Sequence, residues 1–224
     1  MSKSLTKVKL PRTISIKTAE LIGIHLGDGS LCKDKKNNYT ILYCGNLKKD
    51  KEYMDYINNL LLNLFNVKFK ILINSNSNSI VLRLRSKNLF YYYKNYLNIE
   101  DGLKKDLSIP SYIKNNDKFL KVFLRGLFDT DGCVTLQKYG KYKYLLIKIC
   151  TKHQNFAKEI HSSLNILGIP SFITKKESNG FYGYDVVIRN KNVKFFWSTI
   201  GSKNNRNIKK YKDLMGMLGF EFLK

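Results

Sequence analysis

Acidic residues are scarce in this 224-residue chain: 17 Asp and Glu stand against 40 Lys and Arg, a formal charge of +23. Such an excess repels itself unless a polyanion or counterions offset it, which puts nucleic acid first among partners and an anionic membrane surface second. Long apolar runs are missing as well. No stretch approaches the roughly 18–20 residues that a bilayer span requires, so no membrane partner is expected. The basic N-terminal segment MSKSLTKVKLPRTISIK lacks a continuous apolar core and does not read as a signal peptide, while a short organellar transit peptide stays open. The four cysteines, Cys32, Cys44, Cys133 and Cys150, form no CxxC and have no zinc spacing with His. They read as reduced thiols packed as small apolar groups. Only three prolines occur, amid much Lys, Asn, Ile and Tyr. That bias points to an AT-rich coding genome and an intracellular setting, either an organelle (mitochondrion or chloroplast) or the cytoplasm of an AT-rich microbe.

What is present is a repeat. Residues 21–29, LIGIHLGDG, pair with 124–132, LRGLFDTDG, at an offset of 103. Residues 62–67, LNLFNV, pair with 164–169, LNILGI, at 102, and 85–89, RSKNL, with 189–193, RNKNV, at 104. Three matches in one order at nearly one offset make a duplicated unit. Each half reads as a helix ending in the first motif (about 17–27 and 118–130), a hairpin (30–46 and 133–152), a helix (50–65 and 154–167), a second hairpin (68–86 and 171–190) and a closing helix (87–98 and 191–200). Ser15, and Asn116 or Asp117, are candidate N-caps for the motif helices. Asn74–Ser79 and Asn179-Gly180 carry turn chemistry, and 204–219 reads as one more helix. The expected organisation is a first repeat over 1–105, a polar linker over 106–117 and a second repeat with a C-terminal helix over 118–224. The fold class is α+β, two pseudo-symmetric αββαββα units.

In both copies an apolar helix ends in a carboxylate followed by Gly: Asp28-Gly29 and Asp131-Gly132. An acid in the last turn opposes the helix dipole at a cost of about 0.3–1 kcal/mol. A divalent cation relieves that cost, because carboxylates and terminal carbonyls are hard oxygen ligands. Small residues recur four apart, Gly23 with Gly27 and Gly126 with Thr130, so two such helices can approach closely. Side by side, they would make Asp28 and Asp131 neighbours, a carboxylate pair suited to metal-dependent phosphodiester hydrolysis.

These two nonapeptides resemble the paired motifs of single-chain LAGLIDADG homing endonucleases, and the repeat and its element order extend the resemblance over nearly the whole chain. It implies saddle-shaped antiparallel sheets lying on DNA, with the motif helices packed where the repeats meet. It also implies site-specific cleavage of both strands of a long duplex target, with intron encoding the expected setting. Asp28 and Asp131 would then be catalytic metal-binding acids, Gly27 and Thr130 would offer backbone carbonyls, and Gly23 and Gly126 would let the helices meet. Mg2+ would be the cofactor, Mn2+ a substitute, and Ca2+ an ion that supports binding without cleavage. Lys104, Lys105, Lys203 and Arg206 are candidates for a basic pocket around the metals. The second copy departs from the family's form at Arg125 and Asp129, and Asp129 is not expected to be a ligand. His25, within the first motif, reads as a packing residue.

Strand alternation marks a basic face. Ile80, Leu82 and Leu84 oppose Arg83, Arg85 and Lys87, while Phe69, Ile71 and Ile73 oppose Lys68, Lys70 and Asn74. In the second half Val186 and Ile188 oppose Asp185, Arg189 and Lys191, and Lys148 and Lys152 share one parity with Tyr142 and Tyr144. Lys175 on the last hairpin is grouped with these DNA-binding candidates. On 39–46 both parities are mixed, and neither face can be chosen. Two alternatives remain on the same fold: an intron RNA maturase, with intron RNA as partner, and a non-catalytic DNA-binding regulator. Both acids favour the nuclease. An intein setting is not expected, since the chain opens on Met1 and 220–224 lack a His-Asn junction. Because the repeat supplies both halves of a twofold, the free protein should be a monomer. Sedimentation at micromolar concentration should return 26.1 kDa, and twice that mass would show that the two repeats do not complete each other.

Overall fold

A computed structural model describes residues 8–140, 142–178 and 181–218. The first half runs α1 (Ile16–Asp28), β1 (Gly29–Lys33), β2 (Tyr39–Asn46), α2 (Leu47–Phe65), β3 (Lys70–Asn74), β4 (Ser79–Arg85) and α3 (Lys87–Tyr91). α3 continues as a π-helical turn over Tyr92–Tyr96 instead of the unbroken closing helix expected there. A short α4 (Ser111–Lys114) interrupts the connection. The second half repeats the order as α5 (Asp117–Asp131), β5 (Gly132–Tyr139), β6 (Tyr142–Thr151), α6 (Gln154–Ile166), β7 (Phe172–Ser178), β8 (Phe181–Arg189) and α7 (Lys191–Thr199), and α8 (Asn205–Met217) follows. Each half folds one four-stranded antiparallel sheet, ordered β1-β2-β4-β3 and β5-β6-β8-β7. The fold is the expected α+β duplication. The Asn179-Gly180 turn lies outside the described residues. Among those described, no helix is long and apolar enough to cross a membrane.

Local chemistry sets the helix starts. Ser15 Oγ accepts from the Thr18 amide at 3.2 Å. Asn116 Oδ1, not Asp117, accepts from the Phe119 amide at 3.1 Å. Asn46 caps α2 in the same way, accepting from the Lys48 and Lys49 amides, which starts that helix three residues before the apolar spacing does. The register also decides which sheet faces are covered. Ile41 and Tyr43 on β2, Ile80 and Leu82 on β4, and Val134, Ile147, Ile149, Val186 and Ile188 in the second sheet are fully buried against helices. Ile71 and Ile73 share the face of their partners Leu82 and Ile80, yet are 42% and 56% exposed. β3 is the outer strand of its sheet.

The halves meet along α1 and α5, whose backbones touch. A Cβ on Gly23 would stand 2.1 Å from the Phe123 carbonyl oxygen, and one on Gly126 2.5 Å from that of Glu20. No side chain fits at either point. Beside this crossing, Arg125 Nη2 and Nε donate to the Glu20 carboxylate at 2.9 and 3.2 Å, and Tyr56 from α2 donates to it at 2.8 Å. Arg125, which broke the motif's apolar pattern, is thus a tie between halves. Its charge is paired, as burial of a Glu only 3% exposed demands. Gly23→Ala and Gly126→Ala should each cost about 1–3 kcal/mol in denaturant unfolding. Gly216→Ala on α8, where a Cβ meets nothing within 4 Å, should gain up to about 1 kcal/mol. Equal effects at all three would show that propensity, not helix approach, governs these glycines.

Candidate active site and nucleic-acid interface

Because α1 and α5 cross at their glycines, their C-terminal ends finish side by side. A Cβ on Gly27 would lie 2.0 Å from Thr130 Oγ1 and 3.3 Å from Asp131 Oδ2, so the Asp131 carboxylate stands beside the end of α1. The protein packed around Asp131, and then the neighbouring Asp28, push the Asp131 carboxyl up to about 7 against the pull of Lys104. Asp28, the more exposed of the two, is also raised by its surroundings and by Asp50, with Lys104 and Arg206 opposing. Each acid is therefore held in a position that favours a cation.

Lys104 already answers that field. Its ammonium donates to the carbonyls of His25, Leu26 and Gly27 at 3.0, 2.9 and 2.6 Å, closing the C-terminal end of α1. Burial lowers the Lys104 pKa while Asp131 and Asp28 hold it up. Arg206 reaches the other side, with Nη1 3.1 Å from Asp50 Oδ1. The remaining basic-pocket candidates do not join them. The exposed Lys105 lines an outer groove with Lys94 and Asp101, and Lys203 contributes its amide, which donates to Asp129 Oδ2 at 2.8 Å. Asp129 also accepts from Ser202 Oγ and faces away from the acid pair, tying the segment before α8 to α5. His25 is buried, its Nδ1 3.2 Å from Tyr43 Oη, and burial lowers its pKa to about 3, so it packs as a neutral ring.

Sequence reasoning missed Asp50. Its carboxylate accepts from the Asn46 amide at 3.0 Å, beside the cap of α2, and this Asn-to-Asp spacing of four was the available signal. The residues fit a divalent ion as an oxygen site: two carboxylates that disfavour their own charge, with the Gly27 and Thr130 carbonyls at helix ends. Among the described residues no group of three His, Cys, Asp or Glu side chains assembles a different metal site.

The open face of the first sheet is now decided. Thr40, Leu42 and Cys44 on β2 register with Arg85, Arg83 and Val81 on β4, and Lys70 pairs with Arg83. In the second sheet Lys148 pairs with Val187, Leu146 with Arg189 and Cys150 with Asp185. Arg189 stacks 4.3 Å over Phe172 on that face. Lys68 precedes β3. Lys152 follows β6 and lines a groove of about 810 Å³ with Asp131, Lys104 and Lys176. Three candidates lie off the open strand face. Lys175 registers with Tyr184, on the face opposite Arg189 and Lys148, and its ammonium sits 3.8 Å over Tyr182. Its neighbour Lys176, 2.5 Å from Asp185 Oδ2, takes the open face instead. Lys87 and Lys191 do not continue their strands, because the alternation stops at Arg85 and Arg189 and both residues begin helices.

Two family models match: that of the LAGLIDADG DNA endonuclease family over residues 19–116 and that of the LAGLIDADG-like domain over 118–201. An uncharacterized protein of Methanocaldococcus jannaschii is 29% identical over 185 residues, covering 80% of this chain, which spans 64% of that protein's length. The homing endonuclease I-DmoI of Desulfurococcus mucosus is 25% identical over 194 residues, 84% of this chain and 89% of that one. The crystal structure of I-DmoI with DNA and Ca aligns with a TM-score of 0.62 at 22% identity, over 88% of this chain and 97% of that one. The N-terminal LAGLIDADG domain of WhiA aligns at 0.54 with 17% identity, over 88% and 89%.

The raised Asp131 carboxyl generates a pH test. Its folded pKa, about 7, exceeds the ordinary 3.8, so between about pH 4 and 7 the native protein binds more protons than the unfolded chain, and this group's contribution to stability falls as pH rises. Without metal, Asp131→Asn should match the parent near pH 4 and exceed it by about 1–3 kcal/mol near pH 8. A difference constant across that range in urea unfolding would show that the carboxylate is not crowded.

Proposed function

We propose that this chain, which belongs to the LAGLIDADG family, is a DNA endonuclease that hydrolyses both strands of a long duplex target with divalent metal. The observation that carries the reading is the pair Asp28 and Asp131, set side by side by the α1–α5 crossing, with a sheet on each half presenting Arg83, Arg85 and Lys70, or Lys148, Lys176 and Arg189, on its open face. The Asp28 and Asp131 carboxylates, with the Gly27 and Thr130 carbonyls, would hold Mg2+. When bound, the ion supplies Lewis acidity to the scissile phosphate and lowers the pKa of the attacking water. The chain's own part is positional and electrostatic. The strands bring arginines and lysines to phosphates and base edges, and the helix ends fix the acids at the junction between half-sites. Arg206, held by Asp50, adds positive potential beside Asp28. I-DmoI, which this chain resembles, has been solved with DNA and Ca and with DNA and Mn. Intron encoding and a monomeric state belong to the same reading.

A non-catalytic DNA-binding role is the second reading, favoured by the likeness to the WhiA domain. The two retained acids weigh against it. The test separates binding from cutting. A cleavable site is selected from a randomised duplex library, and gel shift and cleavage are then run on that site in Mg2+ and in Ca2+. The parent should bind in both ions and cut in Mg2+. Asp28→Asn with Asp131→Asn should bind at least as well and cut neither strand, because it loses the metal charge but keeps the shape. Binding affinity should fall with salt at a log–log slope of roughly −5 to −9 if six to ten phosphates are neutralised. Cleavage at near the parent rate by the double variant would remove the acids from the mechanism. A parent that binds but never cuts would leave the regulator.

A further inference from the structure

The two acids are related by the repeat, but the helix ends beside them are closed by different chemistry. At the end of α1 the carbonyls of His25, Leu26 and Gly27 all accept from one ammonium, Lys104, at 3.0, 2.9 and 2.6 Å. At the end of α5 the carbonyls at the matching positions of the repeat are Phe128, Asp129 and Thr130. There, neutral amides do the closing: Asn207 Nδ2 donates to Phe128 O at 3.3 Å and Asn204 Nδ2 to Asp129 O at 2.9 Å. At the repeat offset of 103, Asn207 is the counterpart of Lys104. A full positive charge therefore sits where the Gly27 carbonyl meets the Asp131 carboxylate, and among the described residues no ammonium is seen to close the end of α5 in the same way.

We propose that Lys104 is a resident cation of the Asp131–Gly27 position and makes the two metal positions of this protein unequal. This rests on the metal-dependent reading above. The Asp28–Thr130 position, where neutral amides meet the neighbouring α5 carbonyls and the nearby cation Arg206 is already paired with Asp50 at 3.1 Å, takes a divalent ion in the free protein. At the Asp131–Gly27 position a divalent ion competes with the ammonium for the Gly27 carbonyl and meets its charge at close range, which weakens binding at least about tenfold. That position fills only when Lys104 turns away, and the phosphate of a bound duplex is the anion that would draw it off. Lys104 is thus a positioning residue, deciding which site loads first.

The test is Mn2+ titration of the DNA-free protein by calorimetry and electron paramagnetic resonance, which reads bound ions without any turnover. The parent should bind one ion tightly. Asp28→Asn should abolish that site and Asp131→Asn should leave it, a comparison that needs no change at Lys104. Lys104→Met, with its fold checked by thermal unfolding, should bind a second ion at least tenfold more tightly than the parent does, and Lys104→Arg should restore the single-ion behaviour. Two ions of equal affinity in the parent, or a tight site lost with Asp131→Asn but kept in Asp28→Asn, would overturn the inequality while leaving the metal reading intact. No bound ion in the parent or in Lys104→Met would overturn the metal reading and this inference with it.

Discussion

The contact on which everything else depends is the approach of α1 to α5 at backbone distance. Two glycines remove the side chains that would keep the helices apart, and dispersion along the touching backbones replaces ordinary side-chain packing. Close crossing has an electrostatic consequence. The helices run together to their C-terminal ends, so two sets of terminal carbonyls and two carboxylates converge where negative potential is already high. A fold with more distance between these helices would have no reason to gather cations there. Here the chain itself delivers Lys104 and Arg206, and a divalent ion answers the same field.

Around that crossing the protein handles its buried charges pairwise. Glu20 is matched by Arg125 and Tyr56. Asp129 is matched by a hydroxyl and by the Lys203 amide, although burial still pushes its pKa up to about 7. Such pairs add little net stability, because desolvation offsets most of the attraction. They do fix geometry. Glu20–Arg125 sets the rotation of one motif helix against the other, and Asp129 anchors the approach to α8, which brings Asn204, Arg206 and Asn207 to the site. Of the two motif residues that look irregular beside their counterparts, Arg125 ties one half to the other and Asp129 fastens the segment before α8 to α5.

The open sheet faces follow a different rule. They carry charge on strands whose other face is packed, so the cationic groups point one way without disturbing the core. With +23 spread over 224 residues, a long anionic surface relieves the repulsion, and two sheets flanking one acid pair suit a duplex that passes both. Lys148 and Lys176 lie against Asp185, so part of the second face is neutralised from within and its potential is more local than a count of lysines suggests.

How much of this was legible in the sequence follows from range. The duplication, the element order, the capping residues Ser15 and Asn116, and the Asp-Gly helix ends were all readable, because hydrophobic period, cap chemistry and internal similarity are local properties of the chain. Strand parity placed Arg83, Arg85, Lys148 and Arg189 on one face for the same reason. It did not choose between Lys175 and Lys176, where nothing local says which of two adjacent lysines faces out, and it failed at Lys87 and Lys191, where a helix starts one residue after a cap and ends the alternation. The pairing of Glu20 with Arg125 joins residues more than a hundred positions apart, as do the contacts of Asp50 with Arg206 and Asn204, and the grip of Lys104 on the end of α1 spans 77 or more. Those are decided by how two folded halves dock. The sequence by itself determined that there would be two halves, each ending a helix in an acid; only the tertiary structure decided which cations reach those acids, because that depends on where a linker and a C-terminal helix run once the helices have touched.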